Sequence, residues 1–142
     1  MRPKHLIALL ALASTSGCIV DINTPHTRNA CFSVSEMNNS PAVSTSSSGF
    51  AFAVCGIDFV FDDEYATSLQ TANLQLSVAL SQYAGGTARV EVRDATNAVV
   101  FTQQFTQSLS QSLADVHGTA PFRVHMTFNS FNGQFAANLG PR

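Results

Sequence analysis

The sequence predicts an all-β protein: an antiparallel β-sandwich of the jelly-roll or immunoglobulin-like type with about seven or eight strands. Three observations predict this class. Segments in which apolar and polar residues alternate recur from Phe50 onward, turn residues separate them, and no segment combines a helical apolar period with helix caps. The chain therefore builds its core from strands.

Two alternating segments, NLQLSVAL and ARVEVR, occupy the middle of the chain. A period of two is typical of a strand with one buried and one solvated face. Gly85-Gly86 lies between the segments and predicts the turn that joins them. The outward residues of ARVEVR are Arg89, Glu91 and Arg93. The predicted inward residues of both segments are Leu74, Leu76, Val78, Leu80, Ala88, Val90 and Val92.

The later segments AVVFTQQF and FRVHMTF continue the pattern, and the turn residues Asp94–Asn97 precede the first of them. FRVHMTF is the clearest strand, with Arg123, His125 and Thr127 on its polar parity. Asn132-Gly133 predicts a terminal hairpin. The predicted inward residues are Val99, Phe101, Phe105, Phe122, Val124, Met126, Phe128, Phe135, Ala137 and Leu139.

In three segments the pattern of apolar and polar residues does not predict a single regular strand. GFAFAVCGIDFVF is apolar on both parities, which predicts either one central strand or two short strands broken at Gly56. TQSLSQSLADV is rich in Ser, which favours a loop or an irregular strand. The Ser-rich stretch from Asn38 to Gly49 has no period and is expected to be a loop.

The segment from Gly86 to Leu139 resembles jelly-roll-like accessory domains of secreted bacterial proteins. The likeness rests on a D-x-x-N hairpin at 94–97, a G-x-x-P-F-x-V-x-M strand at 118–126 and a terminal Asn-Gly at 132–133. It covers about 55 residues and carries no catalytic residue over. It implies the sandwich fold only.

The N-terminus has the parts of a secretory signal peptide: basic residues at 2 and 4, an apolar run over 6–13 and small residues after it. The apolar run is too short to span a bilayer. Thr15-Ser16-Gly17-Cys18 then resembles the lipobox of bacterial lipoproteins, although that family prefers Leu or a similar residue where Thr15 stands. A standard signal peptidase cut nearby, with Cys18 left as an ordinary thiol, is the alternative.

The lipobox resemblance implies where the protein acts. In that family the cysteine carries a diacylglycerol thioether, and Ile19 in place of Asp indicates the outer membrane rather than the inner one. The predicted organisation is a signal peptide over 1–17, a lipidated tether and Ser-rich loop over 18–49, and the β-sandwich over 50–142. Acyl chains at Cys18 would hold the domain at the cell envelope.

Three cysteines are an odd number for an exported chain. If Cys18 carries lipid, Cys31 and Cys55 remain to form a disulfide in an oxidising compartment. On the chain-entropy model such a bridge is worth roughly 3–4 kcal/mol.

Charge excludes one class of partner. After the leader the chain has five arginines, no lysine and nine acidic residues, so it lacks the basic footprint that nucleic acid requires. No cofactor is expected.

The first candidate for a site is the acidic run Asp58, Asp62, Asp63 and Glu64, because calcium prefers several carboxylate oxygens as ligands. The spacing of these residues fits no known calcium-binding loop, so a solvated loop end is the favoured interpretation. His26, His117 and His125 form no metal motif. A triad of His117, Asp115 and a serine has no supporting motif, and the common hydrolase and phosphate-loop motifs are absent. The absence of Trp weakens sugar stacking, which would fall to Tyr65 and Tyr83.

The sequence thus predicts a non-catalytic, acyl-anchored envelope lipoprotein that acts as an accessory or protein-interaction domain, with an envelope protein as its partner. The alternative is a calcium- or carbohydrate-binding module at the cell surface. Outward Thr and Gln on the segment AVVFTQQF also suit pairing with a strand edge of another protein.

Overall fold

A computed structural model describes residues 39–142 as six antiparallel strands without a helix. The predicted signal peptide, Cys18 and Cys31 lie outside these residues and stay predictions. Within residues 39–142 no helix is long and apolar enough to cross a membrane. The strands are β1 (Ala42–Ser46), β2 (Gly49–Ala66), β3 (Asn73–Arg93), β4 (Val99–Phe105), β5 (Leu109–His117) and β6 (Arg123–Pro141). The predicted all-β antiparallel class is confirmed.

The long strands β2, β6 and β3 form the centre of the sheet, whose strand order is β1-β2-β6-β3-β4. β6 pairs with β2 on one side and with β3 on the other. The first half of β3 pairs with β5, and its second half pairs with β4. β1 pairs only with the beginning of β2.

Each long strand bends near its middle. The pairing shifts register between Gly56 and Phe59 in β2 and between Ser81 and Thr87 in β3, and Ser130 in β6 has a positive φ of 43°. Bulges of this kind bend a strand and increase its twist.

The bends fold the sheet over its own inner face. The rings of Phe50 and Tyr65, both in β2, lie 5.8 Å apart. Fifteen residues separate them in sequence, which would be about 50 Å in a straight strand. The two halves of the sheet therefore enclose one core.

Aromatic rings fill this core. Phe128 is fully buried between the two halves, and its ring centroid lies 5.6 Å from that of Phe52 and 5.2 Å from that of Phe135. Rings at such distances gain offset or edge-to-face attraction in addition to their burial. The buried set includes most of the predicted inward residues, among them Leu74, Leu76, Val78, Leu80, Ala88, Val90, Val92, Phe105, Phe122, Val124, Met126, Phe128, Phe135, Ala137 and Leu139.

The predicted turn at Gly85-Gly86 and the predicted hairpin at Asn132-Gly133 are both wrong. Gly85 lies within β3 and pairs with Asn132, which lies within β6. Gly133 pairs with Gly56 of β2. These glycines therefore bend three neighbouring strands at one level of the sheet instead of reversing the chain. For this reason residues 39–142 form six strands, three of them long.

Two segments expected to be irregular form strands. The Ser-rich stretch contains β1, which makes a tight hairpin with β2, and the Ser46 hydroxyl accepts hydrogen bonds from the amides of Ser48 and Gly49. The segment predicted as a loop or irregular strand after Phe105 forms β5. Pairing with an established neighbour overrides the low strand propensity of serine in both cases.

The predicted turn at Asp94–Asn97 is confirmed. The Asp94 carboxylate accepts hydrogen bonds from the hydroxyl and amide of Thr96 and from the amides of Ala98 and Thr119. These hydrogen bonds lower the pKa of the Asp94 carboxyl, and the bond from the Thr96 hydroxyl has the largest effect. Asp94 thus joins the β3–β4 turn to the segment that precedes β6.

Candidate functional site

The candidate site is the outward face of four paired strand segments, which we call the charged face. Its middle row runs from Glu64 of β2 through His125 and Glu91 to Thr102 of β4. The rows on either side lie two residues further along each strand. Their side chains point to the same face as the middle row, because successive side chains of a strand point to opposite faces. The charged face comprises Asp62, Glu64, Arg123, His125, Thr127, Arg89, Glu91, Arg93, Thr102 and Gln104.

The core fixes which residues face outward. Val124, Met126 and Val90 are fully buried on the inner parity, so their sequence neighbours must point away from the core. The outward positions predicted for residues 89, 91, 93, 123, 125 and 127 are thereby confirmed.

Glu91 is the centre of the charged face. Its side chain is only 7% exposed, and its two oxygens lie 2.6 Å from Arg89 Nη2 and 2.5 Å from Arg93 Nη2. Arg89 also donates a hydrogen bond from Nε to the hydroxyl of Thr102. A buried carboxylate flanked by two guanidinium groups is held in one position, because moving it would leave a charge without a partner.

Pairs across β2 and β6 complete the array. Arg123 Nη1 lies 3.3 Å from the Glu64 carboxylate, and Arg123 Nη2 donates a 2.7 Å hydrogen bond to Asn97 Oδ1. His125 Nε2 lies in hydrogen-bonding contact with Asp62 Oδ1. These groups are partly exposed, so each pair adds little to stability, but together they order the surface.

The charges of this face balance. Three arginines stand among three carboxylates. Their signs alternate along β3, at Arg89, Glu91 and Arg93, whereas Arg93 lies opposite Arg123 across the β3–β6 pair. Such a surface has no excess charge to attract a polyanion. None of its three outward rows contains a Phe, Tyr or Trp side chain, so the usual platform for stacking a sugar ring is missing there. What the face offers is a fixed pattern of donors and acceptors.

The four residues of the predicted acidic run do not lie together in one site. Asp62 and Glu64 belong to the charged face, whereas Asp63 has the opposite parity. Asp58 lies in the bend of β2 and is bonded through its amide to the side chain of Asn132. Across the described part of the chain, no group of three or more His, Cys, Asp or Glu side chains is placed to hold a metal ion.

Asp63 interacts with Tyr65 instead of with the other acids. Burial raises the pKa of the Tyr65 hydroxyl, and the negative charge and hydrogen bond of Asp63 raise it further. The Tyr65 ring packs on Phe50 and Phe52 in the core. Tyr65 is therefore no exposed platform for a sugar ring.

The other sequence candidates have separate partners. Asp115 accepts a hydrogen bond from Arg142 Nη1 at 3.0 Å, and His117 Nδ1 lies 2.9 Å from Asn73 Oδ1. A catalytic triad requires the acid to orient the imidazole, and here each group is held by another residue. His26 lies outside the described residues.

Cys55 is buried in β2. Its predicted partner Cys31 lies outside the described residues, so the pairing itself stays a prediction. Asn39 lies beside it, since the Asn39 amide donates to the Cys55 carbonyl at 3.1 Å.

Sequence reasoning did not find the charged face as one site. The alternation in ARVEVR and FRVHMTF marked the arginines and histidine as outward, and the acidic run marked Asp62 and Glu64. What was missing was the order β2-β6-β3-β4, which places these segments side by side.

No family model matches this chain, and no curated protein matches it. Among solved structures, similarity in shape is found to the Glycosylation Associate Protein (Gap123) complex from Streptococcus agalactiae, with 10% identity, a TM-score of 0.37, and coverage of 70% of this chain and 38% of that chain. A CBM4 structure matches with 10% identity, a TM-score of 0.34 and coverage of 72% and 78%.

An arabinose-bound α-L-arabinofuranosidase, MgGH51, matches with 14% identity, a TM-score of 0.28 and coverage of 68% of this chain and 18% of the enzyme. The present chain thus spans well under half of the first and third of these proteins. All three TM-scores lie below 0.5, so the likeness is distant.

Proposed function

We propose that this protein is a non-catalytic lipoprotein of the cell envelope, a sandwich-type accessory domain whose charged face binds another protein. The observation that carries the proposal is the balanced array of three arginines and three carboxylates on one face, in which the buried Glu91 carboxylate is held between Arg89 and Arg93. A protein surface with the complementary pattern is the partner that such an array suits.

The argument for a protein partner rests on specificity. Balanced charges in fixed positions gain little from a uniform polyanion, but they discriminate strongly between partner surfaces, because placing like charges together costs several kcal/mol. A rigid array also loses little side-chain entropy on binding. Arg89 and Arg93 are partly exposed and ordered by Glu91, so they can contact a partner without first being immobilised.

Site-specific photocrosslinking tests the interaction. With a photoreactive residue at Thr102, on the charged face, we expect the full chain in its native cells to give a discrete protein adduct. The same residue at Gln70, which is exposed in the connection between β2 and β3, should give none. Arg89→Glu should lower the Thr102 adduct roughly tenfold by placing like charges together.

Arg142→Glu is the matched control, because Arg142 is also exposed and ion-paired but lies away from the charged face. It should leave the adduct unchanged. Equal adducts from Thr102 and Gln70, or equal loss with both arginine variants, would contradict a protein site on this face.

The same experiment distinguishes the second candidate, a carbohydrate ligand. The charged face favours it in one respect, since guanidinium, carboxylate, hydroxyl and amide groups all bond to sugar hydroxyls. An adduct that resists protease and contains carbohydrate would establish a glycan as the ligand in place of a protein.

The anchor has its own test, the intact mass of the protein extracted from its native membrane. The expected mass is that of residues 18–142 with a diacylglycerol group and a further acyl chain. Reduction should add the mass of two hydrogen atoms, one for each thiol released from the proposed Cys31–Cys55 bridge. A mass without lipid would show a freely secreted domain, and an unchanged mass on reduction would show that the thiols are free.

A further inference from the structure

The outer edge of β5 is distinct from the charged face. Among the described strands β5 pairs only with β3, so the backbone groups on its other side have no strand partner within residues 39–142. Its nine residues, LSQSLADVH, contain no Pro or Lys, and their one acidic residue, Asp115, is paired with Arg142. Natural proteins use Pro and unpaired charges, Lys above all, to stop an edge from pairing with another chain.

Leu113 lies at the midpoint of this edge strand and is 56% exposed. It sits on the outward parity of β5 opposite Ser77 of β3. A second chain that pairs with this edge would remove the apolar Leu113 side chain from water.

The free edges of β2, β1 and β4 are less suited than that of β5 to pairing between two copies. The second half of β2 carries Asp58, Asp62, Asp63 and Glu64, and two copies of this edge would bring like charges together. β1 has only five residues. β4 has an exposed apolar residue, Val99, but at its first position and not at its middle.

β5 is also complementary to itself. In an antiparallel pair of two β5 strands with a two-fold axis through Leu113, the two Leu113 side chains meet. In the same arrangement Asp115 of each copy lies opposite Gln111 of the other, and no like charges face each other. An isologous contact of this kind closes on itself and does not continue into a fibre.

We propose that two copies of this protein pair through their β5 edges, with Leu113 on the two-fold axis. The sheet then continues from one copy into the other. The charged faces stay uncovered by this contact, so the pairing is independent of the partner proposed above and fails or succeeds separately from it.

Sedimentation velocity of the full chain, in detergent in excess over protein, tests the proposal. We expect a dimer that Leu113→Asp weakens by roughly tenfold or more, because two carboxylates replace an apolar pair on the axis. Val99→Asp is the matched control. It makes a similar change at a residue that is 47% exposed on β4, and it should leave the dimer intact.

Hydrogen exchange at two protein concentrations gives a second, site-resolved measurement on the unmodified chain. Backbone amides of β5 should become more protected as the concentration rises, whereas those of β4 should not change. A monomer at all concentrations, a dimer that resists Leu113→Asp, or a dimer dissociated by Val99→Asp would each overturn the proposal.

Discussion

Phe128→Ala is expected to destabilise this protein by about 3–5 kcal/mol, the usual cost of removing a buried Phe side chain. Phe128 is fully buried in β6, and its ring lies 5.2 Å from those of Phe59 and Phe131 as well as close to rings from the opposite half of the sheet. Its removal leaves a cavity between rings whose backbones are fixed by strand pairing. The measurement is chemical denaturation of the full chain, with the free energy of unfolding taken from the transition.

Val60→Ala is the control for this variant. Val60 is 69% exposed on the edge of β2, so its truncation should change the free energy of unfolding by no more than about 0.5 kcal/mol. Similar losses for the two variants would contradict the central position that the fold assigns to Phe128.

Gly86→Ala is expected to destabilise the protein by about 2–5 kcal/mol, because two costs add. Gly86 has a φ of +80°, which L-residues rarely adopt, and a Cβ atom there would lie 2.1 Å from the carbonyl oxygen of Ser130. That oxygen belongs to the bend of β6, so relief of the clash requires the two bent strands to separate.

Gly85→Ala separates the two costs. Gly85 also has a positive φ, +150°, but a Cβ atom there would meet nothing within 4 Å. Its substitution should therefore cost only the conformational part, about 1–2 kcal/mol. If the two alanine variants unfold at the same denaturant concentration, the close contact between Gly86 and Ser130 does not hold the bend.

These two variants also bear on the charged face. The outward residues of the charged face in β3 and β6 alternate with inward residues of the same core that contains Phe128. The bends at Gly86 in β3 and Ser130 in β6 mark one end of the strand segments that carry the charged face. Loosening either feature should reduce the partner adduct at Thr102 together with stability, whereas Arg142→Glu should leave the adduct unchanged.

Burial along the strands was predictable because it depends on local order. A strand places alternate side chains on opposite faces, so the apolar parity of Leu74–Leu80 and of Val124–Phe128 identified core residues directly from the sequence. The outward position of Arg89, Glu91 and His125 followed from the same rule. The turn at Asp94 was predictable too, since its side chain bonds to amides only two and four residues away.

The glycines could not be interpreted in the same way. A Gly-Gly or Asn-Gly pair permits a tight turn, but the same freedom permits a bulge within a long strand. The choice depended on residues far away in sequence: Gly85 faces Asn132, and Gly133 faces Gly56. Because the three strands are paired and bend at the same level of the sheet, no one of them can bend unless its neighbours bend too.

By itself the sequence determined the all-β class, the inward and outward residues of the main strands and the β3–β4 turn, because these depend on alternation and on contacts within a few residues. The tertiary structure alone decided that three strands are long and folded over, and that Asp62 meets His125 sixty-three positions away. Strand order and register decide such contacts, and they depend on the packing of the whole aromatic core rather than on any local pattern.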